Sequence, residues 1–193
     1  MGTDVAAPGQ PMLGLVVEFD AYAAARLADV MQRAFPGMDV RVAHSTDQAH
    51  MLLRAGTPDV AIVDSLFADL VAEVVQRAPA VCLIVCAGHI SDERIFKGLR
   101  AGASGYALKH DTPDGLAEDL RAMAAGARPL SPGMARRFLQ HFTQPHAPAL
   151  DPGERSVLEG IASGATAQAL TQRLGVVVSD RIRDAYRKLA RQA

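Results

Sequence analysis

Between Leu13 and about Ala127, short apolar runs alternate with longer stretches in which apolar residues recur at helical spacing. Runs of this length, bounded by polar or turn-forming residues, are typical of buried strands. The predicted strands are 13–17, 40–43, 60–63, 81–85 and 105–108. The predicted helices are 21–34, 46–54, 68–77, 92–101 and 113–125. This alternation predicts an α/β domain built on a five-stranded, parallel, doubly wound sheet.

The pattern changes to short helices in the last part of the chain. Residues 131–142 predict one helix, and 143–149, with two prolines and no apolar periodicity, predict a linker. From Leu150 onward apolar residues recur at helical spacing, and Gly164 and Gly175 divide this part into three short helices. Short helices joined by glycine turns are typical of a helix-turn-helix. The predicted organisation is a disordered tail (1–12), an α/β domain (13–130), a helix with a proline-containing linker (131–149) and a small all-α domain (150–193).

Composition indicates a globular protein and separates the two ends by charge. Hydrophobic residues make up 49% and charged residues 21% of the chain, enough apolar material for a core. The net charge is −1, yet residues 150–193 carry seven basic and five acidic side chains, a balance of +2. A basic C-terminal end is compatible with phosphate contact.

Neither a membrane partner nor an oxidising compartment is expected. No apolar stretch is long enough to span a bilayer, and the first residues lack the basic and apolar regions of a signal peptide. Cys82 and Cys86 are four residues apart in one predicted strand, roughly 13 Å, too far to form a disulfide. The sequence therefore predicts a cytoplasmic protein with two free thiols, and the simplest interpretation of both cysteines is that they are small buried apolar side chains.

Chemically active side chains follow the predicted strands at the same end. Glu18, Asp64, Cys86 and Lys109 each come directly after an apolar run. Because the carboxyl ends of parallel strands meet at one edge of a sheet, where open α/β folds bind ligands, we expect these groups to face one another. An acid pair, a thiol and an amine at such an edge indicate a phosphoryl-binding site in which some of the usual side chains are replaced. No zinc-type spacing of histidines, phosphate-cradling glycine loop or Ser-His-Asp arrangement is present, so an enzyme is not expected.

Four segments resemble one family of bacterial regulators. They are Leu99–Lys109 (LRAGASGYALK), Arg128–Arg137, Leu150–Gly164 (LDPGERSVLEGIASG) and Tyr186–Leu189. Together they resemble two-component response regulators of the NarL/FixJ type, in which a receiver domain precedes a LuxR-type helix-turn-helix. The resemblance covers nearly the whole chain from Leu13. It implies a flavodoxin-like receiver, a DNA-binding unit and a role in transcription regulation.

The resemblance also implies roles for individual residues. Asp64 would accept a phosphoryl group from a histidine kinase, with Mg²⁺ held by Glu18 and Asp64 neutralising the phosphoryl oxygens. Lys109 would pair with that group. Cys86 stands where the family has Ser or Thr, and Tyr106 where it has a switch aromatic. The implied receiver pocket comprises Glu18, Asp20, Cys86, Tyr106 and Lys109.

The receiver departs from the family pattern around its metal site. The family has two adjacent acids after the first strand, whereas this chain has Glu18-Phe19, with Asp20 one place later. Mg²⁺ requires near-ideal octahedral oxygen geometry, so a phenyl ring in place of a ligand should weaken its binding. The loop after Asp64 is also shorter than usual. We therefore expect no resident cofactor, with weak Mg²⁺ binding as the remaining option, and a receiver that is not switched by ordinary phosphorylation. The alternative interpretation is a purely structural Asp64–Lys109 salt bridge.

The helix-turn-helix is altered as well. The positions that usually hold base-reading residues in the family are Ser179, Asp180 and Arg181 here, and the further candidate DNA contacts on the same helix are Arg183, Arg187 and Lys188. Asp180 among them would repel phosphates, so the arginines and the lysine are expected to contact the DNA backbone without specifying sequence. The turn before Tyr186 is a few residues short, and the sequence ends at Ala193, where the family continues into a further helix.

Three functional hypotheses follow from these features. The first is a homodimeric transcription regulator that dimerises through 92–101, the last strand and 113–125, as the family does. The second is a protein-interaction module that docks on a histidine kinase, another regulator or the transcription machinery without binding DNA. The third is redox sensing through Cys86, activated by Lys109.

Overall fold

The computed structural model describes residues 12–89 and 93–190. Its strands are β1 (Leu13–Val17), β2 (Asp39–Ala43), β3 (Val60–Asp64), β4 (Cys82–Ala87) and β5 (Gly105–Leu108). Its helices are α1 (Ala21–Ala34), α2 (Thr46–Ala55), α3 (Leu70–Arg77), α4 (Glu93–Arg100), α5 (Pro113–Ala124), α6 (Pro132–His141), α7 (Pro152–Ala162), α8 (Ala167–Leu174) and α9 (Val178–Ala190). The described residues form two compact units, which divide between Gly126 and Ala127.

The first unit is the predicted five-stranded parallel sheet, in the order β2-β1-β3-β4-β5. Strands β3 and β4 are buried along their whole length, because helices cover both faces of a doubly wound sheet. Residues Val16, Ile62 and Ile84 pack with α1 and α5 in one continuous apolar cluster. This packing fixes the strand ends, and with them the groups that project from the sheet's carboxyl edge.

Three element boundaries differ from the predictions in ways that affect the site. Strand β4 runs to Ala87 instead of Val85, so Cys86 lies inside the strand and not beyond it. Asp64 is the last residue of β3, and its carboxylate caps a 3₁₀ turn, Ser65–Phe67. This turn delays the start of α3 from the predicted Ala68 to Leu70. The other boundaries match the predictions or differ from them by one or two residues. The predicted N-terminal cap of α4 at Ser91–Asp92 and most of the predicted tail lie outside the described residues.

The second unit is built from α6 to α9. Helix α6, which the sequence pattern assigned to the segment between the domains, packs inside this unit: Phe138 is fully buried, and its ring centroid lies 5.0 Å from that of Tyr186 on α9. The predicted linker 143–149 contains turns closed by Gln144 N–H to the His141 carbonyl and Ala147 N–H to the Gln144 carbonyl, so it is not extended. The predicted capping box at Asp151 and Glu154 starts α7.

Candidate functional site at the carboxyl edge of the sheet

The structure brings Glu18, Asp64 and Lys109 together at the carboxyl edge of the sheet. Glu18 follows β1, Asp64 ends β3 and Lys109 follows β5, so three strand ends contribute one side chain each. Lys109 Nζ lies 2.6 Å from Glu18 Oε2 and also forms an ion pair with the Asp64 carboxylate. Glu18 is fully buried and Asp64 is 2% exposed, whereas the Lys109 side chain retains 27% exposure. We call these three residues the edge triad.

Backbone groups hold both carboxylates of the edge triad in place. The Leu66 N–H donates to Asp64 Oδ1 at 2.7 Å, and the Asp20 N–H donates to Glu18 Oε1 at 3.1 Å. The Glu18 backbone is itself fixed, because its N–H donates to the Ala43 carbonyl at 2.9 Å. Each carboxylate therefore has one oxygen on a backbone N–H and the other on Lys109. The contact between Lys109 Nζ and Glu18 Oε2 is an ion pair with poor hydrogen-bond geometry, so this buried oxygen is the least well satisfied of the four.

The edge triad places one cation against two carboxyl groups in a largely buried site. Burial raises the pKa of Glu18 above its ordinary value of 4.5 and outweighs the lowering by the Lys109 and Asp20 hydrogen bonds. Burial alone would lower the pKa of Lys109, but the hydrogen bonds to Asp64 and Glu18 exceed it and raise that pKa. Lys109 is thus held charged, and Glu18 is the member of the triad that is biased toward the proton-bound form.

This bias predicts a pH dependence of stability that Glu18→Gln removes. A carboxyl whose pKa is raised on folding binds its proton more tightly in the folded state, so its contribution is complete below about pH 4.5 and is lost as pH rises through the folded pKa. Urea unfolding of the wild type should show this loss from about pH 4.5 upward, and Glu18→Gln should show a flatter profile. Parallel profiles for the two proteins would contradict a raised pKa of Glu18 in the folded state.

Phe19 covers the edge triad in place of a second acid. Its ring centroid lies 5.7 Å from Lys109 Nζ, within the range of a cation–π contact, and the residue is 56% exposed. The following residue, Asp20, turns its side chain away from the triad: its carboxylate accepts the Ala23 N–H at 2.7 Å and caps α1. Phe19 and Asp20 therefore supply an aromatic cover and a helix cap, and neither adds a carboxylate to the triad.

Two predicted pocket residues are buried in the sheet instead of projecting into an open site. Cys86 is fully buried opposite Asp64 in the β3–β4 register, and burial raises the pKa of its thiol to about 12 despite the opposing effect of Lys109. A reactive thiol needs a low pKa and access, so neither the burial nor the raised pKa of Cys86 supports the redox hypothesis. Tyr106 lies inside β5, paired in register with Val85 and 8% exposed, which makes it part of the core.

The donor set at this edge does not fit Mg²⁺. Glu18 and Asp64 are the two carboxylates present, and an ammonium group bridges them where a divalent cation would need both. No group of three or more His, Cys, Asp or Glu side chains suited to a metal ion occurs within residues 12–89 and 93–190. Phe19 adds no oxygen ligand to a cation that requires near-octahedral oxygen coordination.

The predicted DNA-contacting residues lie on or beside the outer face of α9, and the four cations among them are each paired with an acid. Arg181 Nη1 lies 3.2 Å from Asp151 Oδ2, and Lys188 Nζ lies 2.6 Å from the buried Glu154. Within α9 itself, Arg183 pairs with Asp180 at 3.0 Å and Arg187 with Asp184 at 3.3 Å. Ser179 is exposed at the start of the helix.

Sequence reasoning missed these acidic partners. Asp184 is three residues from its arginine on the same helix, and helical spacing alone could have revealed that pair. Asp151 and Glu154 belong to the α7 capping box, and their contacts with α9 depend on how the helices pack, which no local pattern encodes. The cover provided by Phe19 was also missed, because an exposed aromatic next to an acid has no distinctive local signal.

No helix within the described part of the chain is long and apolar enough to cross a membrane.

Two curated proteins from Mycobacterium tuberculosis are similar to the chain in sequence. It is 29% identical over 153 residues to the DNA-binding transcriptional activator DevR/DosR, covering 73% of this chain and 70% of that protein. It is 27% identical over 149 residues to the probable transcriptional regulatory protein NarL, covering 72% and 69% respectively. No family model matches the chain.

Solved structures of response regulators are similar to the chain in fold. A LuxR family DNA-binding response regulator from Silicibacter pomeroyi is 25% identical, with a TM-score of 0.53 over 62% of this chain and 96% of that one. The RcsB response regulator of Salmonella typhimurium is 18% identical, with a TM-score of 0.53 over 93% and 92%. The first unit thus has the CheY-like receiver fold, and the helical remainder fits a helix-turn-helix domain. The relatives confirm the resemblance to NarL/LuxR-type response regulators.

Proposed function

We propose that this chain is a cytoplasmic regulator of transcription whose receiver is not switched by Mg²⁺-dependent phosphorylation. The observation that carries the proposal is the edge triad, in which Lys109 bridges two buried carboxyl groups beneath the ring of Phe19. The similar proteins are a probable transcriptional regulatory protein, a DNA-binding transcriptional activator and a LuxR family DNA-binding response regulator. The chain would act as a regulator and not as an enzyme.

Phosphoryl transfer to Asp64 would have to overcome three features of the edge triad. The attacking oxygen must leave either the Leu66 N–H or Lys109. The transferred group needs positive charge around its oxygens, and Lys109 is already shared by two carboxyl groups. A metal ion would need oxygen ligands where the phenyl ring lies. Input would therefore come from a protein partner, such as another regulator or a kinase that docks without transferring phosphate, or from self-association of the receiver.

Treatment of the full-length protein with a small-molecule phosphodonor and Mg²⁺ tests this proposal directly. We expect no stable phosphate on Asp64 by intact mass and peptide mapping. Enrichment of genomic DNA fragments by the purified protein should be the same with and without the donor. A stable, Mg²⁺-dependent phosphate on Asp64 that changes fragment enrichment would overturn the proposal.

The Phe19→Asp variant should gain Mg²⁺ affinity. It restores two adjacent acids after β1 and removes the ring over Lys109, so the site offers a further oxygen ligand and one more negative charge. We expect the Mg²⁺ dissociation constant to be at least about tenfold lower than in the wild type, which corresponds to about 1.4 kcal/mol of binding free energy. Titration calorimetry measures this, with Phe19→Asn, which supplies a polar side chain without the charge, as the matched control. Equal affinities for the wild type and Phe19→Asp would show that Phe19 does not limit metal binding.

A second candidate function, a protein-interaction module that does not bind DNA, is favoured by the pairing of the α9 cations. Each of the four basic side chains has an acid within 3.3 Å, so phosphates would have to displace a carboxylate at every contact. Salt dependence separates the two candidates. Phosphate-driven binding weakens steeply as salt rises, whereas apolar docking on a protein does not.

A further inference from the structure

The outer face of α9 carries four charged residues that alternate in sign. Asp180, Arg183, Asp184 and Arg187 have exposed side-chain fractions of 54%, 36%, 42% and 64%. The opposite face of the helix is buried in the second unit through Val178, Ile182, Ala185, Tyr186 and Leu189. The four charged residues therefore form one outward stripe, which we call the α9 stripe. It contains equal numbers of acids and bases.

The order of charges in the α9 stripe makes it complementary to itself. When a second α9 is laid antiparallel across the first, with the two-fold axis between positions 183 and 184, Asp180 faces Arg187 of the second copy. Arg183 then faces Asp184 of the second copy, and the symmetry repeats both pairs. Every acid meets a base and every base meets an acid, so the contact exchanges the Arg183–Asp180 and Arg187–Asp184 pairs within each helix for pairs between the two copies. The same axis sets the 59%-exposed Val177 opposite Ala190 at each end of the contact.

We propose that α9 pairs antiparallel with α9 of a second copy of this chain. A two-fold contact is isologous, so each surface must complement itself, and the α9 stripe meets that requirement through charge. A duplex backbone, by contrast, carries negative charge alone and would repel Asp180 and Asp184. The pairing itself does not depend on the proposed function, whereas its consequence for DNA access rests on it.

The proposed pairing would regulate access to DNA. A helix-turn-helix reads DNA by laying its second helix in the major groove, and α9 cannot do so while its outer face is covered. The contact should be weak, because exposed ion pairs contribute little and are screened by salt. It is therefore expected to form at high local concentration and low salt, and to dissociate when the concentration falls or the salt rises.

Disulfide trapping near the two-fold axis tests the proposal in the full-length chain. Asp184→Cys places a thiol beside the axis and removes the central Arg183–Asp184 pairs, so trapping depends on the two outer Asp180–Arg187 pairs. The native Cys82 and Cys86 are buried. Under a mild oxidant at low salt, we expect a covalent dimer to form at least about five times faster with Asp184→Cys than with Gln172→Cys. Gln172 is an exposed residue of α8, outside the stripe, and serves as the matched control. High salt should slow the Asp184→Cys reaction toward the control rate.

Charge exchange within the stripe makes the test specific to the antiparallel register. Adding Asp180→Arg, or Arg187→Asp, to Asp184→Cys should abolish the excess trapping, because like charges then meet across the contact. Both changes together, or a mixture of the two variants, should restore it, because each altered residue again faces the opposite charge. Trapping at the control rate in every protein, or loss without recovery in the combined variant, would overturn the proposal. Phosphodonor treatment and DNA binding play no part in this result, so it is separable from the proposed function.

Discussion

Lys109→Met is expected to lower the free energy of unfolding of the receiver unit by about 3 kcal/mol, because it leaves two buried carboxyl groups without their shared cation. Removing one partner of a buried ion pair typically costs about 3–5 kcal/mol, and the lower end applies because the Lys109 side chain is 27% exposed. Urea unfolding followed by far-UV circular dichroism measures the change. Hydrogen exchange of peptides from β3 and β5 should place the loss in the first unit.

Two further variants show whether charge is the cause. Lys97→Met removes an exposed lysine from an exposed ion pair with Asp69, and should cost no more than about 1 kcal/mol. Glu18→Gln combined with Lys109→Met leaves one carboxylate in place of two and should recover part of the loss. A Lys109→Met effect as small as that of Lys97→Met would mean that the edge triad does not stabilise the fold. No recovery in the double variant would mean that lost packing of the lysine stem, and not charge, explains the effect.

The fold was predictable because its signal is local. Each strand of a buried parallel sheet is a short apolar run in the sequence, and each helix has a periodic apolar face and a capping residue. The predicted boundaries of most elements therefore lie within one or two residues of the observed ones. The meeting of Glu18, Asp64 and Lys109 was also predictable, since parallel strands end at one edge. Burial of Cys86 as a small apolar side chain was predicted, but its place inside a strand was not, because β4 continues two residues further than its apolar run suggested.

The ion pairs that join α9 to α7 could not be predicted from local sequence patterns. Lys188 and Glu154 are thirty-four residues apart, and their ion pair depends on how α7 packs against α9. The sequence shows a basic helix, and from charge counts alone such a helix indicates DNA contact. The structure shows that two of its cations contact acids of the α7 capping box. Charge balance along a segment is therefore a weak guide to the charge a partner meets on the folded surface.

Replacing Asp180 and Asp184 by Asn should strengthen DNA binding about tenfold or more at low salt if α9 contacts the phosphate backbone. The change releases Arg183 and Arg187 from their ion pairs and removes two negative charges from the outer face of the helix. Each released arginine that neutralises a phosphate makes the slope of log affinity against log salt steeper by about 0.9, or about 1.8 for two. Fluorescence anisotropy with a labelled duplex, repeated over a salt series, measures both the affinity and the slope.

The matched control for this double variant changes the same charge elsewhere in the chain. Asp47→Asn with Glu118→Gln neutralises two exposed acids on receiver helices and should leave the salt slope unchanged. A steeper slope in the α9 variant alone would identify α9 as the DNA-contacting helix and its acids as an internal brake on binding. Equal behaviour of the two variants would mean that the arginines do not reach DNA even when released. That result would favour the interaction-module function, because α9 would not bind the phosphate backbone even after its arginines are released.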